Sequence, residues 1–378
     1  MSTNNNAPAK KIKLVISDCH LSGGVQFENQ QNPHEDFFFD DEMVEFFQHF
    51  STGVYGDGCD VELIINGDYL DFLNVPYRGE FEEVITEQFA LYKLECIIAG
   101  HPKVMKALKH FTSLPGKKIT VNIGNHDADL FFPKVQERLI REWDADSIYP
   151  SHRVSVNYAK PHIDLEGGIQ IHHGNQFEAV HLFNYSNPFL TSGLSDPVLN
   201  LPWGSFYVLK IVNRFKWERE YVDKIRPVKT MLLWGLLFDT IFTLKFFFLS
   251  FFYFMKTRFV YNPNRHSRLK VTLKILQQES TTFLQDLEAD ARRLLDEQPH
   301  IHTVIFGHTH MPMMKSYPDG KAYINTGTWT KMVNLDLRNM GSGYRLTFAL
   351  IEYDDKGRAV ASLKQWQGEH KPYHHWST

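Results

Sequence analysis

Seven side chains with metal-binding chemistry stand just behind hydrophobic runs of this sequence. Asp18 and His20 follow LVIS, Asp68 follows VELIING, and Asn125 follows KKITVNIG. His173 follows GGIQIH, while His308 and His310 follow HTVIFG. Carboxylate, imidazole and amide oxygens together suit borderline divalent ions such as Mn, Fe or Zn. One such run would be weak evidence. Five in order, each behind an apolar stretch, predict a single cleft at the carboxyl ends of strands, where α/β sheets build ligand sites.

Each position has a specific expectation. Asp18 and His20 lie two residues apart, so at a strand end both point the same way and reach one ion. A capped turn with an incidental histidine is the plain alternative. Asp68 follows Gly67, and its two oxygens can bridge two ions, although Gly-Asp is also a common turn. Asp71 reads as a helix cap or as a partner to a ligand rather than a ligand itself. His126 sits beside Asn125, and Asp127 is expected to orient its imidazole and favour the charged form, which makes both candidate catalytic residues. His173 is expected to face the cleft and His172 the opposite side, by strand alternation. His308 and His310 can serve different ions of one pair.

The elements that must position these groups follow from periodicity. Short β-branched-rich runs at 12–17, 61–66 and 118–123 predict buried strands. Stretches at about 40–50 and 81–112 read as helical, and this β-α-β rhythm predicts a largely parallel or mixed sheet covered by helices. No strand rhythm occurs from about 175 to 298. Within that region Leu269, Leu273, Leu276, Phe283, Leu287 and Leu294 recur at helical spacing, predicting an amphipathic helix over 267–297 that stops before Pro299. Strands are expected again at 302–306, 321–325, 344–352 and 358–364, as an antiparallel finish to the same domain.

Composition bounds the rest. The 378 residues accommodate one α/β domain with a large insertion, or two domains. A net charge of −4 lacks a basic footprint, so nucleic acid is not an expected partner. Three cysteines, Cys19, Cys59 and Cys96, argue against a disulfide framework and for a reducing compartment. The start MSTNNNAPAKK has no apolar core of the secretory type, so the expected location is cytoplasmic, including the inner face of a membrane.

Together the five blocks resemble the calcineurin-like metallophosphoesterase superfamily over residues 14–178 and 300–330. The resemblance implies a four-layer α/β/β/α sandwich of the α/β class carrying two divalent metal ions, Mn first and Fe or Zn as alternatives. One ion would be held by Asp18, His20, Asp68 and His310. The other would be held by Asp68, Asn125, His173 and His308, with Asp68 bridging. His126 matches the family's catalytic histidine, which acts at the leaving oxygen or a non-bridging phosphate oxygen. Two ions roughly 3.5 to 4 Å apart can lower the pKa of a shared water towards about 7 and offset charge in an in-line transition state. The implied activity is phosphoester hydrolysis.

An insertion bears on the substrate. Residues 231–254 hold eight Phe, one Trp and one Tyr, with only Asp239 and Lys245 charged. That length can span a bilayer, yet His173 before it and His308 after it must meet in one compartment, which forbids a single crossing. A lipid-facing lid lying in the membrane interface is expected. Its basic flanks would suit an anionic surface: Arg214, Lys216, Arg219, Lys224, Arg226 and Lys229 before it; Lys256, Arg258, Arg265, Arg268 and Lys270 after it. A buried cap or a homo-oligomer interface is the alternative. The insertion is similar to that of UDP-2,3-diacylglucosamine pyrophosphohydrolases. Here, however, His126 stands where those enzymes carry Arg, His173-Gly174-Asn175 replaces His-Gly-Asp, and the insertion is longer. The expected parts are 1–178 and 299–378 for the metallophosphoesterase domain and 179–298 for the helical insertion or lid. The substrate would be an amphiphilic or membrane-borne phosphate ester such as a UDP-diacylglucosamine-like pyrophosphate. A soluble phosphodiesterase or protein phosphatase with an oligomeric insertion is the alternative.

Overall fold

The computed structural model describes residues 11–27, 29–226, 228–259, 287–334, 341–369 and 372–375. Its main strands are β1 (Lys11–Ile16), β2 (Asp60–Asn66), β3 (Lys117–Asn122), β4 (Val154–Asn157), β5 (His162–Leu165) and β6 (Ile169–His172). After the insertion come β7 (Thr303–Phe306), β8 (Met313–Ser316), β9 (Ala322–Asn325), β10 (Thr347–Tyr353), β11 (Ala359–Trp366) and β12 (Tyr373–His375). They form a seven-stranded sheet of order β12-β11-β10-β1-β2-β3-β4 and a five-stranded sheet of order β8-β9-β7-β6-β5.

Neighbours β1 to β4 run parallel. Parallel strands are normally covered on both faces and read as continuous apolar runs. β1, KIKLVI, is buried from Ile12 onward, and all of β6 and β7 is buried. The sheets meet face to face through Val15, Ile64, Ile171, Ile305, Ile324 and Ile351. Helices α1 (Asp40–His49), α2 (Glu87–Gly100), α3 (Pro102–Ser113) and α4 (Pro133–Trp143) cover the outer face of the larger sheet. The stretch expected to be helical over 81–112 begins its helix only at Glu87 and holds two helices. His101 ends α2 and Pro102, with no N–H to give, opens α3.

The finish after residue 300 is not simply antiparallel. β7 pairs in parallel with both β6 and β9, whereas β10, β11 and β12 are antiparallel. β7 returns to the sheet after the whole insertion, and such a long crossover permits parallel pairing that a tight turn does not.

The insertion carries α5 (Val228–Phe238) and α6 (Thr240–Phe259). The apolar segment 231–254 is therefore not one straight rod: it bends at Asp239, whose carboxylate pairs with Arg219 at 2.9 Å. One side, with Phe242, Phe246, Leu249 and Tyr253, packs on Ile211, Phe215 and Val222. The other side leaves Leu237, Phe238 and Ile241 74%, 76% and 84% exposed, with Phe248, Phe251 and Phe252 beside them. Part of the basic flank is paired within the protein. Lys216 is buried between Asp36 and Asp223, Lys224 pairs with Asp36, and Arg219 pairs with Asp239. Strand pairing also ties the insertion down, Ile225–Arg226 lying parallel to Met332–Asn334.

The last helix, α7 (Glu288–Glu297), packs Ala291 and Leu295 on Val304, Phe306 and Tyr323, closing the fourth layer. It is the end of the amphipathic helix expected over 267–297. Residues 267–286 of that expectation, with Leu269, Leu273, Leu276 and Phe283, lie outside the described residues, as do Arg265, Arg268 and Lys270.

Candidate metal centre

Five loops leave the carboxyl ends of β1, β2, β3, β6 and β7, and backbone bonds lace them together. Asp18 N donates to Gly67 O, His20 N to Asp68 O, and Gly307 N to His173 O, at 3.1, 3.0 and 2.9 Å. His173 Nδ1 bonds to Asn66 O at 2.8 Å, joining the two sheets at the site. Gly67 is required there: a Cβ on it would lie 2.5 Å from the His173 ring. Asp18, His20, Asp68, His308 and His310 have φ between 51° and 68°, five of the eight non-glycine residues with positive φ among the described residues. Such conformations cost free energy and gather at ligand sites. They also alter the expected reason for convergence. Asp18 and His20 share a side because left-handed turns rotate them, not because strand alternation does.

Two ligand groups result. Asp18, His20 and His310 offer atoms within 4.8 Å of one another, and so do Asp68, His173 and His308. His308 and His310 thus fall in different groups. His20 Nε2 faces His310 Nε2 at 3.1 Å. Because His20 Nδ1 bonds to the Asp71 carboxylate at 2.9 Å, its neutral ring keeps the proton there and offers its lone pair at Nε2. Asp18 Oδ1 faces His310 Nε2 at 3.3 Å and His173 Nε2 faces Asp68 Oδ2 at 3.1 Å, whereas Asn125 Oδ1 is buried with no hydrogen-bond partner. Such an atom costs about 1–3 kcal/mol unless something satisfies it. One bare amide oxygen beside two close-packed sets of imidazoles and carboxylates fits a pair of borderline divalent cations. Asn125 is anchored nearby, since the next backbone N–H, that of His126, donates to Asp68 Oδ1 at 2.8 Å.

The electrostatics agree. Burial would lower the imidazoles, but the hydrogen bond and charge of Asp71 raise His20 to about 9. Asp68 likewise outweighs burial at His173, raising it to about 10. Burial would raise Asp68, yet His173 and His126 hold it well below the usual carboxylate range. Protons and cations therefore compete for these rings.

The orienting acid of His126 is Asp71, not Asp127. His126 Nδ1 lies 3.0 Å from Asp71 Oδ1. Asp127 accepts instead from the backbone N–H groups of Gly124 and Tyr69, at 2.6 and 3.2 Å. A carboxylate next in sequence to a histidine bonds the loop's own amides more readily than its neighbour's ring, as Asp does in turns. Burial and the nearby Asp68 push Asp127 up to about 7. Asp71 also caps the turn Phe72–Asn74, so both roles expected of it coexist in one buried carboxylate. His172, as its alternation predicts, points elsewhere: its ring nitrogens meet Gln170 and Gln176, both at 2.8 Å.

Two residues escaped the sequence reading. Glu178 Oε2 lies 2.9 Å from His308 Nε2, and His181 forms a further group with them, beside that of His20, Asp71 and His126. Their only signal is position, five and eight residues after His173 in a loop without a familiar pattern.

No family model matches the sequence, and no curated protein matches it. Among solved structures the chain is similar to a dimetal phosphatase from Danio rerio, at 9% identity over 98% of this chain and 100% of that one, with a TM-score of 0.38. It is also similar to a Vps29 single mutant from Entamoeba histolytica (12% identity, 94% and 99% covered, TM-score 0.27). A third is a predicted phosphoesterase from Streptococcus pneumoniae (11% identity, 97% of each chain, TM-score 0.25). Likenesses of this size decide nothing about this chain, whose mixed α/β sandwich is read from its own strand order and whose site is read from its own side chains.

Proposed function

We propose that this protein is a metal-dependent phosphoester hydrolase of the calcineurin-like metallophosphoesterase kind, acting with two divalent cations. The observation that carries the reading is the convergence of Asp18, His20 and His310 beside Asp68, His173 and His308 at one end of two stacked sheets. When bound, such a pair supplies Lewis acidity to the phosphoryl oxygens and acidifies water for attack. The chain's own contribution is positioning. Asp71 fixes the His126 ring through Nδ1, leaving Nε2 for the substrate, where it can donate to the leaving oxygen. The His126 side chain keeps 17% exposure, so a phosphate group has an approach on that side.

The substrate we assign is an amphiphilic or membrane-borne phosphate ester, for example a lipid-linked pyrophosphate. Its support is the exposed apolar side of α5 and α6, of which Thr240–Thr257 is long and apolar enough to cross a membrane by length and composition. Large exposed apolar surfaces on otherwise polar folds mark membrane or protein interaction sites. A soluble phosphodiesterase or protein phosphatase that buries the same side against a second copy is the competing reading.

Hydrolysis of bis-p-nitrophenyl phosphate with Mn tests the reaction. His126→Ala and Asp68→Ala should each abolish it, and parental rates in both variants would defeat the proposal. Flotation with phosphatidylglycerol vesicles tests the surface. Binding that is lost in Phe248→Asp, with the soluble assay unchanged, supports a membrane-borne substrate. A vesicle-free dimer that Phe248→Asp splits favours the competing reading.

A further inference from the structure

A neutral imidazole carries one N–H and one lone pair, so whatever accepts from one nitrogen decides which nitrogen can hold a cation. His308 belongs to two groups, one with Asp68 and His173 and one with Glu178 and His181. Its Nε2 lies 2.9 Å from Glu178 Oε2. A carboxylate accepts and cannot donate when ionised, so the proton belongs on Nε2 and the lone pair on Nδ1.

The loop that delivers Glu178 is built for the task. After His173 the chain makes one turn, Asn175–Phe177, and Asn175 Nδ2 donates to His181 O at 3.0 Å. His181 Nε2 lies 3.7 Å from the same Glu178 oxygen, and its ring meets the His308 ring edge-on at 5.2 Å. The insertion presses on this loop from outside. Gly204 N donates to Val180 O at 2.8 Å, and a Cβ at Gly204 would stand 2.5 Å from the His181 ring. The carboxylate is therefore held from two directions.

We propose that Glu178 is a positioning residue that fixes the tautomer and orientation of His308, so that Nδ1 serves the cation site shared with Asp68 and His173. The inference rests on the metal-centre reading above. Carboxylate–histidine–metal chains of this form commonly raise ligand basicity, and losing the carboxylate typically costs about 10–100-fold in metal affinity or activity.

Calorimetric titration of the metal-free full chain with Mn at fixed pH tests it without recourse to turnover. The parent should take two equivalents. In Glu178→Ala one equivalent should weaken by about 10–100-fold while the other keeps its affinity. Glu178→Gln, whose amide oxygen still accepts from Nε2, should restore most of the loss, a rescue that a merely structural role would not show. Glu178→Asp, which withdraws the carboxylate by one methylene, reads the same loss should the alanine variant fail to fold. Two unchanged equivalents in Glu178→Ala and Glu178→Asp overturn the inference alone. Three equivalents in the parent and two in these variants also overturn it, because Glu178 is then itself a ligand. Fewer than two equivalents in the parent overturn the metal-centre reading and this inference with it.

Discussion

Replacing Asp71 by Asn separates two accounts of how His126 is held. The Asp71 carboxylate is fully buried and accepts from His20 Nδ1 at 2.9 Å, His126 Nδ1 at 3.0 Å, and the backbone and side chain of Asn74 at 3.1 and 2.9 Å. An asparagine offers one oxygen and one amino group, so one ring N–H must face another donor. Hydrogen bonds to a charged group contribute about 1.5–3 kcal/mol each, so the two imidazole bonds place about 3–6 kcal/mol at stake. Part of that appears as weaker cation binding at Asp18, His20 and His310. The remainder appears as lost proton transfer at His126, for which about 10²–10⁴-fold is usual. We expect kcat/KM for bis-p-nitrophenyl phosphate to fall by about 10²–10⁴ at saturating Mn, equivalent to about 3–5 kcal/mol of barrier. Asp127→Asn is the control. Among the described residues its carboxyl accepts only from the backbone amides of Gly124 and Tyr69, so an asparagine turns its amino group against one of them and loses that one bond. It should cost less than about tenfold, the scale of one hydrogen bond. A parental rate in Asp71→Asn, or a larger loss in Asp127→Asn, would refute the assignment.

Two further expectations concern stability. His101 is buried between Asp40 at 3.0 Å and Glu35 at 3.2 Å; burial opposes its charge, but the two acids raise it to about 9 from 6.5. A raised histidine stabilises the fold fully below about pH 6.5 and stops doing so as pH passes about 9, a loss of about 3 kcal/mol at most. Urea unfolding across that window should show the decline, and His101→Gln should flatten it; an identical decline in the variant would dismiss His101 as its source. Asp36→Asn should cost about 3–5 kcal/mol, because it strips one of two carboxylates from the buried Lys216 ammonium. Lys216→Met, which removes the charge itself, should be milder; thermal melts of the two variants in the opposite order would contradict this.

Where chemistry follows directly on an apolar run, the sequence was legible. Asp18, Asp68, Asn125, His173 and His308 sit at strand ends because LVIS, LIIN, ITVNI, GIQI and TVIF can only be buried strands, and a parallel sheet gathers such ends on one edge. The opposite aim of His172 was likewise readable from the period of two. Helix α7 could be located from its spacing, and the break at Pro102 was available from proline chemistry.

Partnership through space was another matter. Nothing in the order of residues distinguishes Asp71 from Asp127 as the partner of His126. The turn after β3 spends Asp127 on its own amides, and the packing of β2 against β3 brings Asp71 across. The cations counted as a membrane-facing flank include Lys216, Arg219 and Lys224, which the folded chain neutralises with Asp36, Asp223 and Asp239. Glu178 joins His308 across 130 residues of chain. Local sequence determined which side chains reach the edge of the sheets, because periodicity and burial act over a few residues. Only tertiary structure decided which of them touch, because charge pairs and hydrogen bonds depend on distances that chain connectivity leaves free.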